Sequence, residues 1–80
     1  MSRLSDALAH LVKGIVDHPD EVAVASSESS RGELLEVRVH PEDLGRVIGR
    51  GGRTAKALRT IVGALADGER VRVDVVDTDH

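Results

Sequence analysis

The feature that most constrains the fold is a missing class of residue: the 80-residue chain contains no phenylalanine, tyrosine or tryptophan. A domain of this size must then build its core from valine, leucine, isoleucine and alanine. Such a core is thin, and self-association would help to stabilise it. RNA-recognition motifs stack bases on aromatic side chains, and single-strand-binding OB-folds usually do so too. Both classes of nucleic-acid-binding domain are therefore excluded.

Other absences narrow the function and the location. Because the chain has no cysteine, it has no disulfide, no catalytic thiolate and no cysteine-ligated zinc. No apolar run approaches the roughly 20 residues of a membrane-spanning helix, and the N-terminus does not resemble a signal peptide. We therefore expect a cytoplasmic protein.

Hydrophobic periodicity predicts a single α+β domain over residues 1–80, with the element order α-β-β-α-α-β. Apolar residues recur at helical spacing near the N-terminus until Pro19 ends the pattern, with Ser2 as the predicted N-cap. Two alternating segments then flank a polar turn. The predicted elements are a helix over 4–16, strands over 21–28 and 33–40, a short helix over 41–48, a helix over 53–66 and a strand over 69–76, with a frayed tail over 77–80.

The predicted sheet is mixed and has three strands. The first two strands form an antiparallel hairpin, whereas the second and third are joined through two helices, which requires a parallel pair with a right-handed crossover. Each strand is apolar on one face only. All three helices should therefore cover one face of the sheet and leave the other in solvent. In the second strand the alternation sets Leu35, Val37 and Val39 against Glu36, Arg38 and His40.

The second long helix is predicted to be amphipathic. Its apolar residues should share one face, and its basic residues should point roughly the opposite way. Asp67-Gly68 is predicted to end this helix, with the glycine as C-cap. The apolar set is Leu58, Ile61, Val62 and Leu65, and the basic set is Arg53, Lys56 and Arg59.

Charge is distributed unevenly along the chain. Residues 44–66 hold five basic residues and no acid, a local charge of +5, while the remaining residues hold six basic and fourteen acidic residues, a charge of −8. The whole chain has a formal net charge of −3. An acidic protein with one basic segment is expected to meet an anion at that segment.

A glycine loop, Gly49-Arg50-Gly51-Gly52, lies in the basic segment and leads directly into a helix. Glycine lets a backbone approach another molecule because it has no Cβ to collide with it. The unpaired N–H donors at the start of a helix attract phosphate. Arg50, at the tip of the loop, can donate two hydrogen bonds to phosphate oxygens.

Within residues 44–60, the pattern Val47-Ile48-Gly-x-x-Gly-Arg between two helices resembles the helix–GXXG–helix core of the KH domain, whose loop clamps the backbone of about four nucleotides. The order α-β-β-α-α-β resembles the type II KH fold. At the level of one family, the length and the run 44–60 resemble the small bacterial single-KH RNA-binding proteins of the KhpA family.

The resemblance implies a protein that binds single-stranded RNA and acts as a post-transcriptional regulator or RNA chaperone. It also implies a homodimer and a heterodimer with a KhpB-like KH protein. Ile48 and Ala57, with Val47, are expected to form an apolar floor for bases. The candidate RNA-binding residues are Arg46, Val47, Ile48, Gly49, Arg50, Gly51, Gly52, Arg53, Thr54, Lys56 and Ala57.

The loop allows other interpretations. It can be a structural turn beside a solvated basic face. A P-loop is excluded because the sixth residue from Gly45 is Arg50, where the motif requires glycine, and a dinucleotide fingerprint is excluded because the sixth residue from Gly49 is Thr54. At the level of function, two alternatives stay open: a protein-interaction module whose loop serves a dimer interface, and a ribosome assembly factor that binds rRNA.

The sequence offers little for catalysis, and we expect no enzyme, cofactor or metal. The four histidines are scattered without the spacing of a metal site or a catalytic triad, so they are interpreted as ordinary surface residues. Acidic residues near the C-terminus are interpreted as a solvated strand end, and the serines between 26 and 30 as turn formers. The residues in question are His10, His18, His40 and His80, and Asp74, Asp77 and Asp79.

Overall fold

The computed structural model of the protein describes residues 3–76. Its elements follow the predicted order. None of the helices in this range is long and apolar enough to span a bilayer. The helices are α1 (Arg3–Lys13), α2 (Leu44–Ile48) and α3 (Arg53–Ala66), the strands are β1 (Ala23–Ser29), β2 (Gly32–Arg38) and β3 (Val71–Val75), and single 3₁₀ turns cover Pro19–Glu21, Pro41–Asp43 and Arg50–Gly52.

Strand β2 is the centre of a mixed three-stranded sheet. It pairs antiparallel with β1, where Val24 lies opposite Val37, and parallel with β3, where Leu35 lies opposite Val73. Parallel strands need a crossover connection, and here α2 and α3 provide it. The predicted α+β fold with a mixed sheet is confirmed.

The three helices pack on one face of the sheet. Leu35 and Val37 of β2 are fully buried in one cluster with Leu8 of α1, Val47 of α2 and Val62 of α3. The core is aliphatic throughout, as the composition requires. The alternate side chains on the other face include the exposed residues Arg38, Arg72 and Asp74.

Two predicted boundaries near the N-terminus are wrong by a few residues. Helix α1 ends at Lys13 and not at residue 16: the N–H of Gly14 is shared between the carbonyls of His10 and Leu11, and the N–H of Ile15 donates to a carbonyl three residues back. Ile15 leaves the helix and still packs against the core. Strand β1 begins at Ala23 and not at residue 21, because the turn Pro19–Glu21 precedes it.

The other two strands are also shorter than predicted. Strand β2 ends at Arg38, two residues early, although Val39 remains buried. Strand β3 covers Val71–Val75 and not 69–76. The predicted N-cap Ser2 and the predicted frayed tail 77–80 lie outside the described residues.

The apolar face predicted for α3 is wrong at two positions. Leu58 and Val62 are buried as predicted, but Ile61 and Leu65 are 42% and 45% exposed. Small alanine side chains at both ends of the buried stripe let the helix lie close to its neighbours, so the stripe turns away from the two larger residues. The buried positions of α3 are Ala55, Leu58, Val62 and Ala66.

Candidate nucleic-acid interface

The glycine loop makes a tight connection between α2 and α3. The N–H of Gly49 donates to the carbonyl of Gly45 at 2.8 Å and ends α2, and the N–H of Gly52 donates to the carbonyl of Gly49 at 3.1 Å. Gly49 has φ 78° and ψ 168°, a region open essentially only to glycine. The loop therefore needs glycine for its backbone path.

Gly49 also needs glycine for space. A Cβ built on this residue would lie 2.7 Å from the backbone nitrogen of Thr54 and would also collide with the Thr54 side chain. By contrast, a Cβ on Gly51 or Gly52 would meet nothing within 4 Å, so their positive φ angles of 64° and 78° are their only constraint. One glycine is thus held by packing, and the other two face open space.

Three basic side chains surround this loop. Arg50 lies at its tip, and Arg53 and Lys56 lie in the first turn of α3. All three are exposed. None forms a salt bridge with an acidic side chain in the range 3–76. Their positive field is therefore directed at solvent, where a phosphate group can approach.

The start of α3 adds backbone donors to the same surface. This 14-residue helix begins at Arg53, whose N–H donates to the carbonyl of Arg50, and its N-cap residue Gly52 has no side chain that could bond the N–H groups that follow. Unpaired N–H groups at a helix start carry partial positive charge and bind anions. The loop, the helix start and the exposed basic side chains together can hold the backbone of a polyanion.

Three predicted site residues have other roles in the structure. Val47 is fully buried in the core, so the prediction that its side chain joins an apolar floor for bases is wrong. Arg46 is held by Asp17, with Nη1 to Oδ1 at 3.0 Å, which reduces its share in the basic surface. Thr54 lies beneath Gly49 and shapes the loop. Ile48 and Ala57 are exposed as expected.

One basic residue was left out of the predicted site although it belongs to the same segment. Arg59 donates from Nε to the carbonyl of Val73 at 3.1 Å, and together with Val71 and Asp74 it lines a cleft between α3 and the open edge of β3. The signal was present in the sequence, since Arg59 follows Lys56 by three residues and so extends the same helical face. The cleft adjoins the basic surface through α3.

The structure overturns the interpretation of two histidines as ordinary surface residues. His18 and His40 stack at a ring-centroid distance of 4.0 Å with an interplanar angle of 13°. His40 was predicted on the solvent side of β2, but the strand ends before it and the side chain turns onto His18. His10 is exposed, as predicted, and His80 lies outside the described residues.

A buried carboxylate anchors this histidine pair. Asp43 is 2% exposed and accepts hydrogen bonds from the backbone N–H of Asp17 at 3.1 Å and of His18 at 3.0 Å, and from the Nδ1 of His18 at 3.0 Å. Burial by itself would raise the pKa of Asp43, but the hydrogen bonds outweigh it and hold that pKa below its usual value. The bond to Asp43 raises the pKa of His18 against the opposing effect of burial.

Comparison with known proteins identifies relatives over most of the chain. The sequence model of the family described as KhpA/KhpB, KH domain, matches residues 5–76. RNA-binding protein KhpA of Leifsonia xyli is 77% identical over 74 residues, which cover 92% of this chain and 97% of the relative. The proteins of the same name from Streptomyces coelicolor and Mycobacterium tuberculosis are 69% and 64% identical, over 96% and 94% of this chain and 96% and 92% of their own length.

No solved structure matches the chain. The family match agrees with the observed α+β fold of three helices and a mixed three-stranded sheet. The chain belongs to the KhpA/KhpB family of KH domains.

Proposed function

We propose that this protein binds single-stranded RNA in the cytoplasm and that the loop Gly49–Gly52 holds the RNA backbone. The observation that carries the proposal is the joint placement of the open loop, the uncapped start of α3 and three exposed basic side chains without acidic partners in the described chain. The relatives are named RNA-binding proteins, which supports the same function. We also propose that the protein has no enzymatic activity.

The physical basis of binding is electrostatic. A phosphate group placed against Gly51 and Gly52 meets no Cβ and reaches the N–H groups that follow Arg53 at the start of α3. Arg50, Arg53 and Lys56 then neutralise neighbouring phosphates. A site built from backbone and charge contacts selects strongly for a nucleic-acid strand and weakly for its bases. Such a protein suits a regulator or RNA chaperone that acts on many transcripts.

The double variant R50D/G51D tests the loop. It places two negative charges against the phosphate while Gly49 and Gly52 keep the turn, and aspartate tolerates the left-handed backbone of Gly51. Binding to a fluorescein-labelled single-stranded RNA should weaken by at least about tenfold, since one hydrogen bond between charged groups contributes about 1.5–3 kcal/mol. The readout is fluorescence anisotropy, with circular dichroism as the test of folding.

Two matched variants test whether the loss of RNA binding comes from the negative charge, from the size of the new side chains or from any charge change on the surface. R50N/G51N has the same side-chain size without the negative charge, so it should lie between the parent and R50D/G51D. R31D reverses one exposed charge in the β1–β2 turn, far along the chain from the loop, and should leave RNA affinity nearly unchanged. A folded R50D/G51D protein that binds as tightly as the parent contradicts the proposed site.

The salt dependence of binding measures the number of phosphates held. If Arg50, Arg53, Lys56 and their neighbours neutralise two to four phosphates, the logarithm of affinity should fall with the logarithm of salt concentration with a slope of about −1.4 to −2.8. A slope near zero would mean that the basic cluster lies outside the interface.

We further propose that the exposed aliphatic side chains of α3 support self-association and pairing with a KhpB-like KH protein. Ile61 and Leu65 lie one turn apart on the same face of α3 and are 42% and 45% exposed. A second copy that covers this face would extend a thin core. It would also bring two RNA sites onto one strand and raise avidity through effective concentration. The glycine loops would then lie near the interface.

Sedimentation equilibrium at micromolar concentration tests this surface. The parent should contain dimer, and I61E should shift it to monomer because the glutamate charge would be buried at the interface. The control S27E adds the same charge to the exposed face of the sheet and should leave the dimer unchanged. A parent that is monomeric across the range and recovers no KH partner in a pull-down contradicts self-association.

The same variants distinguish the two alternative functions. If the protein is an interaction module only, I61E should abolish its self-association, and the parent should bind RNA no better than R50D/G51D does. A ribosome assembly factor would co-sediment with ribosomal subunits and bind structured rRNA in preference to the unstructured oligonucleotide.

A further inference from the structure

Two segments that are distant in sequence bring metal-ligand types together beside the start of α2. His18 comes from the connection between α1 and β1, His40 follows β2, and Glu42 lies in the 3₁₀ turn before α2. The Nε2 of His18 lies 3.7 Å and the Nδ1 of His40 lies 3.8 Å from the same oxygen, Oε1 of Glu42. One ligand atom from each residue lies within 4.8 Å of the other two.

These separations are close to those that a metal ion imposes. Zinc lies about 2.0–2.2 Å from nitrogen and oxygen ligands, so two ligands of a tetrahedral zinc ion are about 3.4 Å apart. The two distances to Glu42 Oε1 exceed this value by a few tenths of an ångström. The three ligand atoms are bounded only by 4.8 Å, so side-chain rotation must bring them together.

Asp43 supplies the outer partner that histidine ligands commonly have. It is buried, and one of its carboxylate oxygens bonds the Nδ1 of His18 at 3.0 Å. A carboxylate accepts only, so this nitrogen carries the proton, and the lone pair of His18 is left on Nε2, the nitrogen that faces Glu42. Such a carboxylate–histidine–metal arrangement fixes the orientation and the tautomer of the ligand.

The other two ligands must adjust to bind an ion. His40 accepts the N–H of Glu42 on Nδ1 at 3.0 Å, so this hydrogen bond must break before the nitrogen can bind an ion. The two rings stack, and because each lone pair lies in its ring plane, the His40 ring, which Asp43 does not hold, must turn toward the ion. The side chains of His18, His40 and Glu42 are 37%, 27% and 74% exposed, which leaves room for this rotation and for water as a fourth ligand.

From this arrangement we infer that His18, His40 and Glu42 form a binding site for a divalent transition-metal ion, with Asp43 orienting His18. Two imidazoles and one carboxylate suit zinc and its neighbours in the first transition series better than magnesium or calcium, which prefer oxygen ligands. The bound ion would join the α1–β1 connection, the end of β2 and the start of α2, and would thereby stabilise the folded state. The site uses none of the residues assigned to RNA.

Cobalt and zinc titrations of the full chain, free of any affinity tag, test the site. Co²⁺ should give a visible absorption spectrum of a tetrahedral site that saturates at one ion per chain, and Zn²⁺ should displace it. Calorimetry should show that E42Q and H40Q bind Zn²⁺ at least about tenfold more weakly, since even loss of an outer partner costs 10- to 100-fold. Zn²⁺ should raise the unfolding temperature of the parent more than that of E42Q.

The controls remove histidines elsewhere. H10Q changes the exposed histidine on α1, and H80Q changes the one beyond the described residues; both should bind Zn²⁺ like the parent. Glu42 is an exposed side chain, so E42Q keeps the test valid if the histidine variants unfold. The inference is overturned if the parent gives no saturable cobalt spectrum, or if E42Q and H40Q bind Zn²⁺ as tightly as H10Q. Neither result depends on RNA binding.

Discussion

The two ends of α2 differ in how their charges are compensated. At the C-terminal end, the glycine loop presents basic side chains that have no acidic partner in residues 3–76. At the N-terminal end, both carboxylate oxygens of the buried Asp43 accept hydrogen bonds, and the histidine stack beside it is flanked by Glu21 and Glu42. Charged side chains without an opposite partner are typical of a surface that binds a charged ligand. Charged side chains with partners are typical of a contact that holds elements of the fold together.

The largest expected effect concerns the loop's packed glycine. G49A should lower the free energy of unfolding by about 2–3 kcal/mol, because alanine cannot take the backbone of Gly49 without strain and its Cβ meets Thr54. G52A, with only a left-handed backbone to adopt, should cost about 1–2 kcal/mol. Urea denaturation followed by far-ultraviolet circular dichroism measures both.

The matched control lies four residues before the loop. Gly45 is a helical glycine of α2 with open space around its Cβ position, so G45A should be neutral or stabilising by about 0.5–1 kcal/mol. Equal losses of unfolding free energy for G49A and G52A would contradict the distinction between Gly49, which is packed against Thr54, and the glycines that face open space.

A smaller effect on stability is expected at Asp43. D43N keeps the shape of the side chain but loses the charge that accepts three hydrogen bonds, so it should lower the unfolding temperature less than G49A does. RNA affinity should stay close to that of the parent, because the loop lies at the other end of α2. A D43N protein that is fully stable but defective in RNA binding would reverse the comparison.

The pH dependence of stability sharpens this prediction in buffer that contains a chelator. The pKa of Asp43 is lowered on folding, so its contribution is present above the usual aspartate value of 3.8 and is lost as pH falls through the folded value. The pKa of His18 is raised, so its contribution is present below 6.5 and is lost as pH rises through the folded value. The pair, which faces His40, Glu21 and Glu42, should stabilise most between these limits, and D43N should flatten both flanks.

The smallest effect is expected at Arg46, which lies on α2 between the two regions. Asp17 already holds its guanidinium at 3.0 Å, in a salt bridge between exposed side chains. R46Q should therefore change the free energy of unfolding by about 0–1 kcal/mol. It should also weaken RNA binding less than R50Q does, because Arg50 has no acidic partner in the described residues. Anisotropy titrations of the two variants side by side decide this.

The two regions also differ in how far the sequence alone predicts them. The loop is contiguous: Gly49, Arg50 and Gly52 stand within four residues, and the element order places helices on both sides, so local rules suffice. The histidine cluster depends on His18 and His40, which lie twenty-two positions apart and meet only after the sheet and α2 are in place. No local pattern predicts such a contact.

Burial was predicted less well than element type. Spacing alone cannot tell which of two adjacent apolar stripes of α3 meets the core. The buried stripe is the one with the small residues Ala55 and Ala66 at its ends, and Ile61 is exposed. Likewise Val47 was assigned to the site because it adjoins the loop, although packing places it in the core. The prediction of strand ends was wrong where the hydrogen bonding of the sheet stops before the apolar pattern does, as at Val39.

The separation of charge described for the chain also governs how the molecule approaches its ligand. From one basic segment on an otherwise acidic protein we expect an electric dipole. In the field of a polyanion the protein would be turned before contact, with its acidic remainder repelled and its basic loop drawn forward. Encounters would then begin in one orientation, so the rate of productive association would depend on ionic strength more steeply than the net charge of −3 suggests.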